Sequence, residues 1–442
     1  MDVDGRALPR LAREWAWENG GLRLRLTLRE GVRVHDGTLL TASAVAETLR
    51  AAIANEGNQI VYSSFANVTS VRAIGELDLA IDLSRPSAFL PEDLELRIGI
   101  GPNNLGTGAF RIVNASPQEI TLERFDDYHL GPARINRVVI RTSPTLRTAW
   151  TSLLRGDVDM VTNVPPDAIE FVSNDDVQLI SFARPYQFMI AFNSQRGPLS
   201  SPLVRRALNL AVNREALIER VLQSRGMAST GAIWPQHWAY DRSIPGFAFD
   251  PGQAGALLDA AGFPLRNQLG LTERFNFTCL IPENFTLVER VALEVQKQLY
   301  DIGVNIRFEV VPGGEFDLRG RSGRFEALLI DMVSGLGMSR SQMFWRSAKT
   351  VKGMNVFGYE NVEAERLFRL LSETTNEAAV RSATSRVQRV LLDDPPALFL
   401  AWTQGFRSVR RDFQVVEEPG IDPLYTIWRW TPAPSATPSR TD

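Results

Sequence analysis

The chain has 442 residues, more than the roughly 250–300 that one hydrophobic core usually serves, so two or more lobes are expected. Its 44% hydrophobic and 22% charged content is ordinary for a soluble globular protein. The formal net charge of −3, without a long basic run, argues against nucleic acid as the main partner. The single cysteine, Cys279, excludes an internal disulfide and a cysteine-based metal cluster, and its apolar surroundings predict a buried strand position.

The termini carry little targeting information. No stretch reaches the roughly 18 apolar residues of a membrane span. The N-terminal sequence MDVDGRALPRLAREW lacks the apolar segment of a secretory signal, so we expect either a cytoplasmic protein or a chain whose natural start lies further upstream. The Pro/Ser/Thr-rich end, TPAPSATPSRTD, is expected to fray.

The first third of the chain predicts a mixture of strands and a helix. Leucines alternate with polar residues over 22–28, which is typical of a half-buried strand. Thr41 is the predicted N-cap of a helix whose apolar residues recur every four positions. Two strands are predicted within 68–83, and the glycine-rich segment 98–113 runs into another strand.

The middle of the chain predicts a βαβ-like unit. A strand follows residue 134, a helix is predicted over 145–155 with Gly156 as its stop, and the segment DVDMVTNV follows as a second strand. The continuous apolar run 188–193 predicts a buried strand.

The C-terminal half predicts mainly helices separated by strands. Ser201 is the predicted cap of a helix with Pro202 at its first position, and Asn213 is the predicted cap of the next. The remaining predictions are a helix from Asp250-Pro251 to Gly262, a longer helix over 285–301, a strand from Val304 to Val310, helices within 362–393 and the strand PALFLAW. The whole reads as an α/β protein with at least two lobes.

His35 and Asp36 in GVRVHDGTLL are the first candidates for chemistry. A metal site or a catalytic relay would need partners, but the other histidines, His129 and His237, do not form a metal-ligand spacing with them. A tight turn shaped by Asp36 and Gly37 is the favoured interpretation over a metal or catalytic role.

Other motifs also favour structural roles. The Gly106-Thr107-Gly108 loop lacks the lysine and further glycines of a phosphate-binding loop, so a close backbone approach at a lobe junction is the better interpretation. No serine has the spacing of a nucleophile elbow. The paired aspartates at 126–127, 175–176 and 393–394 lie in predicted turns or helix ends, so no catalytic set is predicted.

Seven blocks, in this order, resemble the large solute-binding proteins of ATP-driven importers, specifically the dipeptide/oligopeptide/nickel-binding family (solute-binding family 5). The blocks are LRLTLREGVRVHDGTLLTASAV, LGTGAFRI, LLRGDVDM, AFNSQRGPLSSPLVRRALNLAVNREALIERVL, FDPGQAGALLDAAGF, VQKQLYDIGVNIRFEVV and RVQRVLLDDPPALFLAW. The resemblance therefore extends over nearly the whole chain.

The resemblance implies a two-lobe hinged periplasmic-binding-protein fold of class II, in the large cluster that carries an extra subdomain. The implied division is an inserted subdomain over 1–105, a first lobe made of 106–187 and 404–442, and a second lobe over 188–403. Hinge crossings are expected near 184–194 and 397–404. The chain starts later than family members do, so a first-lobe edge strand is expected to be missing or to be supplied by residues outside this sequence.

The resemblance also bears on the ligand. Peptide binders of the family hold the ligand ammonium with an aspartate in a second-lobe loop, and the matching loop here, 334–338, contains no carboxylate. A buried ammonium without a counter-charge costs several kcal/mol, so a blocked, neutral or anionic solute is favoured over a free-amino peptide. The residues expected to bind the ligand are Tyr186, Phe188, Asn193, Trp234, Arg340, Trp345 and Trp402, with Gly106 and Thr107 in one wall.

The resulting functional prediction is a non-enzymatic receptor that captures a peptide-like or other small polar solute by hinge closure and delivers it to a membrane permease. No cofactor, metal or nucleic acid is expected, and the protein is expected to be a monomer outside the cytoplasm. One alternative is a ligand-sensing domain of a transcriptional regulator with the same fold. A less favoured alternative is a hydrolase that uses His35 and Asp36.

Overall fold

A computed structural model describes residues 1–172, 174–268, 271–333, 335–349 and 354–434. Helices alternate with strands along the chain, as the sequence predicts. The helices are α1 Ala42–Ala54, α2 Glu56–Val61, α3 Leu90–Asp93, α4 Leu146–Arg155, α5 Ile169–Val172, α6 Pro202–Leu210, α7 Arg214–Val221, α8 Pro251–Ala260, α9 Thr286–Tyr300, α10 Gly313–Arg321, α11 Met338–Met343, α12 Val362–Glu373 and α13 Glu377–Asp393. No helix in the described ranges is both long and apolar enough to cross a membrane.

A seven-stranded sheet forms the centre of the molecule, in the order β10-β16-β9-β15-β13-β14, with β8 also paired to β16. Its strands are β8 Met160–Val161, β9 Val177–Phe192, β10 Gly226–Ala228, β13 Phe275–Pro282, β14 Val304–Val311, β15 Ala327–Val333 and β16 Ala397–Arg410. One face packs on α6, α7, α8 and α9, and the other on α11, α12 and α13. Both faces of this part of the sheet are therefore buried, which explains its continuous apolar strands.

The two longest strands, β9 and β16, pair antiparallel and extend beyond the helices that cover this core. At their far ends they pack with α4, α5 and the C-terminal segment. The pairing of β16 with β9 is irregular between Phe399 and Ala401 and again between Trp402 and Gln404. Of the segments expected to cross between lobes, 184–194 lies on β9 except for its last two residues, and 397–404 lies on β16.

A second sheet, in the order β1-β2-β4-β3, lies within residues 1–105, which we call the N-terminal subdomain after the predicted division. Its strands are β1 Ala12–Glu18, β2 Arg23–Leu28, β3 Val68–Ala73 and β4 Asp78–Leu83. The leucines of β2 pack with α1 in a separate hydrophobic core. Thr41 caps α1 as predicted, since its hydroxyl accepts a hydrogen bond from the Ala44 N–H.

The predicted βαβ-like unit is not formed, because its first strand belongs to a separate, third sheet. Strands β5 Phe110–Ala115, β6 Glu119–Arg124 and β7 Arg137–Arg141 form it in the order β5-β6-β7. The helix α4 does follow β7 and ends at Gly156 in the left-handed conformation (φ 73°). However, β8 pairs with β16 in the central sheet, so α4 joins two different sheets. The prediction was wrong because the local pattern gives strand type but not the sheet that a strand joins.

Helix starts in the second half follow the sequence closely, with one exception. Asn213 caps α7 and Asp250 caps α8 through their side chains, and Gly303 separates α9 from β14. Ser201 occupies the N-cap position of α6, but its side chain makes no capping hydrogen bond. Two short pairs complete the description: β11 Arg266–Gln268 with β12 Leu271–Glu273, and β17 Phe413–Gln414 with β18 Thr431–Pro432.

Candidate ligand-binding cleft

A cavity of about 860 Å³ lies where the N-terminal subdomain meets the α11–α12 face of the central unit. The subdomain contributes the α2 end, the turn that follows it and Arg85, and the opposite wall comes from α11, α12 and the segment before α12. This volume lies in the range of pockets that hold small organic molecules. The lining residues are Gln59, Ile60, Ser63, Ala66, Asn67, Arg85, Gln342, Met343, Arg346, Ser347, Glu360, Asn361, Val362, Glu365, Arg366, Arg369, Ser372 and Glu373.

Gln342 forms the inner end of the cavity. Its side chain is 1% exposed, and its Nε2 donates to Ser63 Oγ across the junction at 3.0 Å. The Gln342 Oε1 is buried without a hydrogen-bond partner among the described residues. A buried carbonyl without a donor costs free energy, so this atom can accept a further hydrogen bond.

Ion pairs fix the outer wall. The Arg346 guanidinium donates to the Glu365 carboxylate at 2.7 Å and 3.2 Å, and the Ser347 N–H donates to the same carboxylate at 3.0 Å. The Arg346–Glu365 pair is largely buried, so both side chains are held in one geometry. At the rim, Arg85 of the subdomain pairs with Glu373 of α12 at 3.2 Å and so bridges the two walls.

Two adjacent carboxylates of α3 lie behind the inner end. Asp93 Oδ2 accepts hydrogen bonds from the Ser64 N–H at 2.9 Å and the Ser64 hydroxyl at 2.6 Å, and the Ser339 hydroxyl also donates to Asp93. Glu92 faces Gly337, and the N–H groups of Met338 and Ser339 favour its charged form. These contacts join the subdomain directly to the start of α11.

Burial is the main cause of the raised pKa values of these two carboxyls. Loss of solvation raises the pKa of Glu92 to about 8, and the neighbouring charge of Asp93 adds to that rise. Loss of solvation also raises the pKa of Asp93 to about 6, although hydrogen bonds from Ser339 and Ser64 and the charge of Arg340 oppose it. The contact therefore favours the protonated carboxyls more than an open, solvated arrangement would.

The strand side of the cleft contains a pair of tryptophans. The rings of Trp234 and Trp402 meet edge to face at 4.9 Å, and Trp234 Nε1 donates to the Val3 carbonyl at 2.9 Å. Gln187, directly opposite Trp402 on β9, donates from Nε2 to the Gly231 carbonyl at 2.8 Å and to the Ser229 hydroxyl. Within the described ranges, Trp402 Nε1 and Gln187 Oε1 are buried without hydrogen-bond partners.

The structure brings two of the predicted ligand-binding residues into contact with each other and a third close to the subdomain. Trp234 and Trp402 are in contact, and the Arg340 guanidinium lies 5.9 Å from the ring centre of Tyr62 in the subdomain. Tyr186 packs under the guanidinium of Arg184, at 3.8 Å from the ring centre. Arg184 also pairs with Asp331 of β15 at 2.6 Å.

The other predicted residues have partners elsewhere. Phe188 lies in the core under α6 to α9, and Trp345 packs on Phe357 and Phe399. Asn193 donates to the carbonyls of Gly323 and Phe325, as a loop-fixing residue does. None of the nine predicted residues lines the 860 Å³ cavity, and their role in binding stays a prediction.

Gly106 and Thr107 lie at the junction between the subdomain and the three-stranded sheet. A Cβ on Gly106 would come within 3.1 Å of the His35 ring. His35 Nε2 donates to the Gly108 carbonyl at 3.0 Å, and the ring meets Phe125 edge to face at 5.1 Å. His35 thus fastens the turn to this loop.

Asp36 stabilises the turn as well. Its carboxylate accepts from the Thr38 N–H at 3.0 Å and the Thr38 hydroxyl at 2.6 Å, and Gly37 has φ 88°. The Thr38 hydroxyl is the main cause of a lowered Asp36 pKa. In the described part of the chain, no three His, Cys, Asp or Glu side chains come together as a metal site.

Sequence reasoning missed Gln342, Gln187, Glu92 and Asp93. Of the loop at 334–338, Ser334 lies outside the described residues, and Gly335 to Met338 contain no carboxylate. The structure supplies carboxylates to this loop from α3, about 245 residues earlier in the chain. No local pattern in LPEDLEL indicates that contact.

Comparisons with known proteins agree with this architecture. The family model "Bacterial extracellular solute-binding proteins, family 5 Middle" matches residues 6–353. The oligopeptide-binding protein AppA of Bacillus subtilis is 23% identical, with 93% of this chain and 81% of AppA covered. The glutathione-binding protein GsiB of Salmonella paratyphi A is 26% identical, with 71% of this chain and 63% of GsiB covered.

Solved structures share the fold at low identity. NikA from Brucella suis, in complex with Fe(III)-EDTA, gives a TM-score of 0.84 at 17% identity, with 98% of this chain and 92% of NikA covered. NikZ from Campylobacter jejuni, in complex with Ni(L-His), gives 0.82 at 20% identity, with 96% and 90% covered. Because the family model matches most of the chain, the protein belongs to the bacterial extracellular solute-binding proteins of family 5.

Proposed function

We propose that this protein captures a peptide-like or other small polar solute between its lobes and presents the closed form to the permease of an ATP-driven importer. The observation that carries the proposal is the 860 Å³ cavity, because one wall belongs to the subdomain and the other to α11 and α12. Such a cavity exists only while the two walls are together. A solute that contacts both walls therefore stabilises the closed arrangement over the open one.

The proposed hinge consists of β9 and β16. The chain passes into the second lobe along β9 and returns along β16, where the pairing irregularities fall at Phe399–Ala401 and Trp402–Gln404. Irregular pairing weakens the ladder locally, so bending there costs less than bending inside a regular sheet. The lobe division used here is the predicted one: 1–105 as the subdomain, 106–187 with 404–442 as the first lobe, and 188–403 as the second lobe.

The alternatives have less support. The two relatives named above bind oligopeptides or glutathione by name, which supports a solute-binding protein over a regulator or an enzyme. The geometry also disfavours a hydrolase, since His35 donates to a backbone carbonyl and Asp36 is engaged by Thr38. A monomer outside the cytoplasm, without cofactor, metal or nucleic acid, remains part of the proposal.

Small-angle X-ray scattering tests the proposal. The radius of gyration is measured alone and with a panel of peptides, sugars and amino-acid derivatives, and at least one compound is expected to reduce it. Ala66→Trp, which fills the cavity, should abolish that compaction, whereas Ala51→Trp on an exposed face of α1 should retain it. A radius that no compound changes would overturn the proposal, as would an Ala66→Trp variant that compacts normally.

A further inference from the structure

Residues 2–6, which we call the N-terminal strap, lie between parts of the chain that an opening of the lobes would separate. The strap is folded on itself, since the Gly5 N–H donates to the Asp2 carbonyl at 3.0 Å and the Asp2 N–H donates to the Arg6 carbonyl at 2.8 Å. It leads into β1 of the N-terminal subdomain. Its local hydrogen bonds give it a defined shape that other segments can contact.

The second lobe holds the strap through the strap backbone. Trp234 Nε1 donates to the Val3 carbonyl at 2.9 Å. The Trp238 N–H donates to the next carbonyl, that of Asp4, also at 2.9 Å. Both tryptophans lie within 188–403, the predicted second lobe. A movement of this lobe away from the strap would therefore break both hydrogen bonds.

Gly5 is the tightest point of the same contact. It is buried, its φ is 81°, and a Cβ there would lie 2.6 Å from the Leu336 carbonyl oxygen and 2.7 Å from His237 Cδ2. Only glycine permits so close an approach of two segments in this conformation. Beside it, at the surface, the Arg6 guanidinium pairs with Glu377 of α13 at 2.8 Å.

The first lobe contacts the strap through the Val3 side chain. A Cβ on Gly420 would lie 2.7 Å from Val3 Cγ2, so Val3 packs directly on the Gly420 backbone. The Gly420 carbonyl in turn accepts a hydrogen bond from the Ala183 N–H of β9 at 3.1 Å. Val3 thus contacts the predicted first lobe with its side chain and the predicted second lobe with its carbonyl.

We propose that the N-terminal strap is a latch that raises the closed population of the empty protein. The strap contacts both lobes, and opening would separate those contacts, so they favour the closed state. None of the strap residues lines the 860 Å³ cavity, so the latch and a solute in that cavity do not exclude each other. The inference uses the lobe movement of the proposed function but not its solute.

Two glycine substitutions break the latch from opposite sides. Gly5→Ala prevents the close approach to the second lobe, and Gly420→Ala displaces Val3 from the first lobe. Gly20→Ala is the matched control, because Gly20 also has a left-handed φ, 65°, but an added Cβ would meet no atom within 4 Å. The control therefore introduces similar backbone strain without touching the strap.

The readout is the ratio of closed to open molecules without solute, from the distance between spin labels at Glu56→Cys on α2 and Asp317→Cys on α10. This ratio is expected to fall about fivefold in each strap variant and to stay at the wild-type value in the control. Urea unfolding identifies the variants that fold, and Gly420→Ala serves alone if Gly5→Ala does not.

An unchanged ratio in a folded strap variant would overturn the proposal, as would an equal fall in the control. An empty wild-type protein without any closed population would also overturn it. Solute-induced compaction is read separately in scattering and should become larger in the strap variants, because more of the empty protein is then open. If no solute compacts the wild type, the proposed capture function fails while the label distances still decide on the latch.

Discussion

Two of the contacts that the subdomain makes with its surroundings differ in chemistry. On one side, His35 fastens it to the Gly106–Gly108 loop through a hydrogen bond from Nε2 and an edge contact with the buried ring of Phe125. On the other side, Glu92 and Asp93 of α3 meet Gly337 and Ser339 at the start of α11. The first contact pairs an imidazole ring with a backbone carbonyl and an aromatic ring, and the second buries two adjacent carboxyls.

The difference indicates which contact is built to open. Separating His35 from Phe125 and Gly108 loses an aromatic contact and a hydrogen bond, and it returns no buried carboxyl to water. Separating α3 from α11 returns two buried carboxyls to water, which regains solvation and offsets the lost hydrogen bonds. We therefore expect the subdomain to move with the first lobe and to open away from the second.

The largest expected effect is a pH dependence of closure. The closed state raises the pKa of Glu92 from 4.5 to about 8 and that of Asp93 from 3.8 to about 6, so closing takes up protons. The two protonated carboxyls favour the closed state fully below about pH 4. This contribution is lost as the pH rises through 6, where Asp93 ionises in the closed state, and then through 8, where Glu92 does. Arg340 and Glu95 are the other charged groups that act on the pair.

The measurement uses the distance between spin labels at Glu56→Cys on α2 and Asp317→Cys on α10, both exposed positions, with the native Cys279 buried. The ratio of closed to open molecules should fall at least tenfold between pH 5 and pH 8.5. Glu92→Gln removes the group with the more strongly raised pKa and should flatten the upper half of this profile. An identical profile in that variant would contradict the comparison.

A matched pair of glycine substitutions gives the next largest effect. In Gly337→Ala, the new Cβ would lie 2.3 Å from Glu92 Oε2, so the contact between α3 and α11 must separate. The ratio of closed to open molecules should therefore fall several-fold. Ala at Gly106 would place Cβ 3.1 Å from the His35 ring, so we expect about 1 kcal/mol less unfolding free energy in urea and no change in the label distance. The comparison would fail if Gly106→Ala opened the molecule or if Gly337→Ala left it closed.

The smallest expected effect is that of His35→Ala. Loss of the hydrogen bond to Gly108 and of the contact with Phe125 should lower the free energy of unfolding by about 1 kcal/mol. Solute-induced compaction should remain, because His35 does not line the cavity. The control is Thr38→Val, which removes only a turn hydrogen bond to Asp36. Abolished compaction in a folded His35→Ala protein would give His35 a functional role.

Much of the fold was predictable because its signals are local. Thr41, Asn213 and Asp250 cap helices with their own side chains, and Gly156 ends α4 in a conformation that suits glycine. The alternation in β2 and the apolar run in β9 likewise report on strands directly. The ordered blocks of resemblance added the family, which the family model confirms.

The site was less predictable. Aromatic residues near the presumed hinge were natural choices, yet Phe188 and Trp345 are core residues of the central unit, and only Trp234 and Trp402 came together. Gln342 and Glu92 carried no signal, since a glutamine in a short helix and a glutamate after proline are ordinary in sequence. Their significance comes from burial and from neighbours far away along the chain.

The sequence by itself determined where many of the helices and strands begin and end and which protein family the chain belongs to, because capping, alternation and motif order depend on residues close together. Tertiary structure decided that β7 and β8 lie in different sheets and that α3 meets α11. It also decided that the cavity wall carries more guanidinium than carboxylate charge. Those features depend on which distant segments share a surface, and the free energy of a buried polar group is set by that surface.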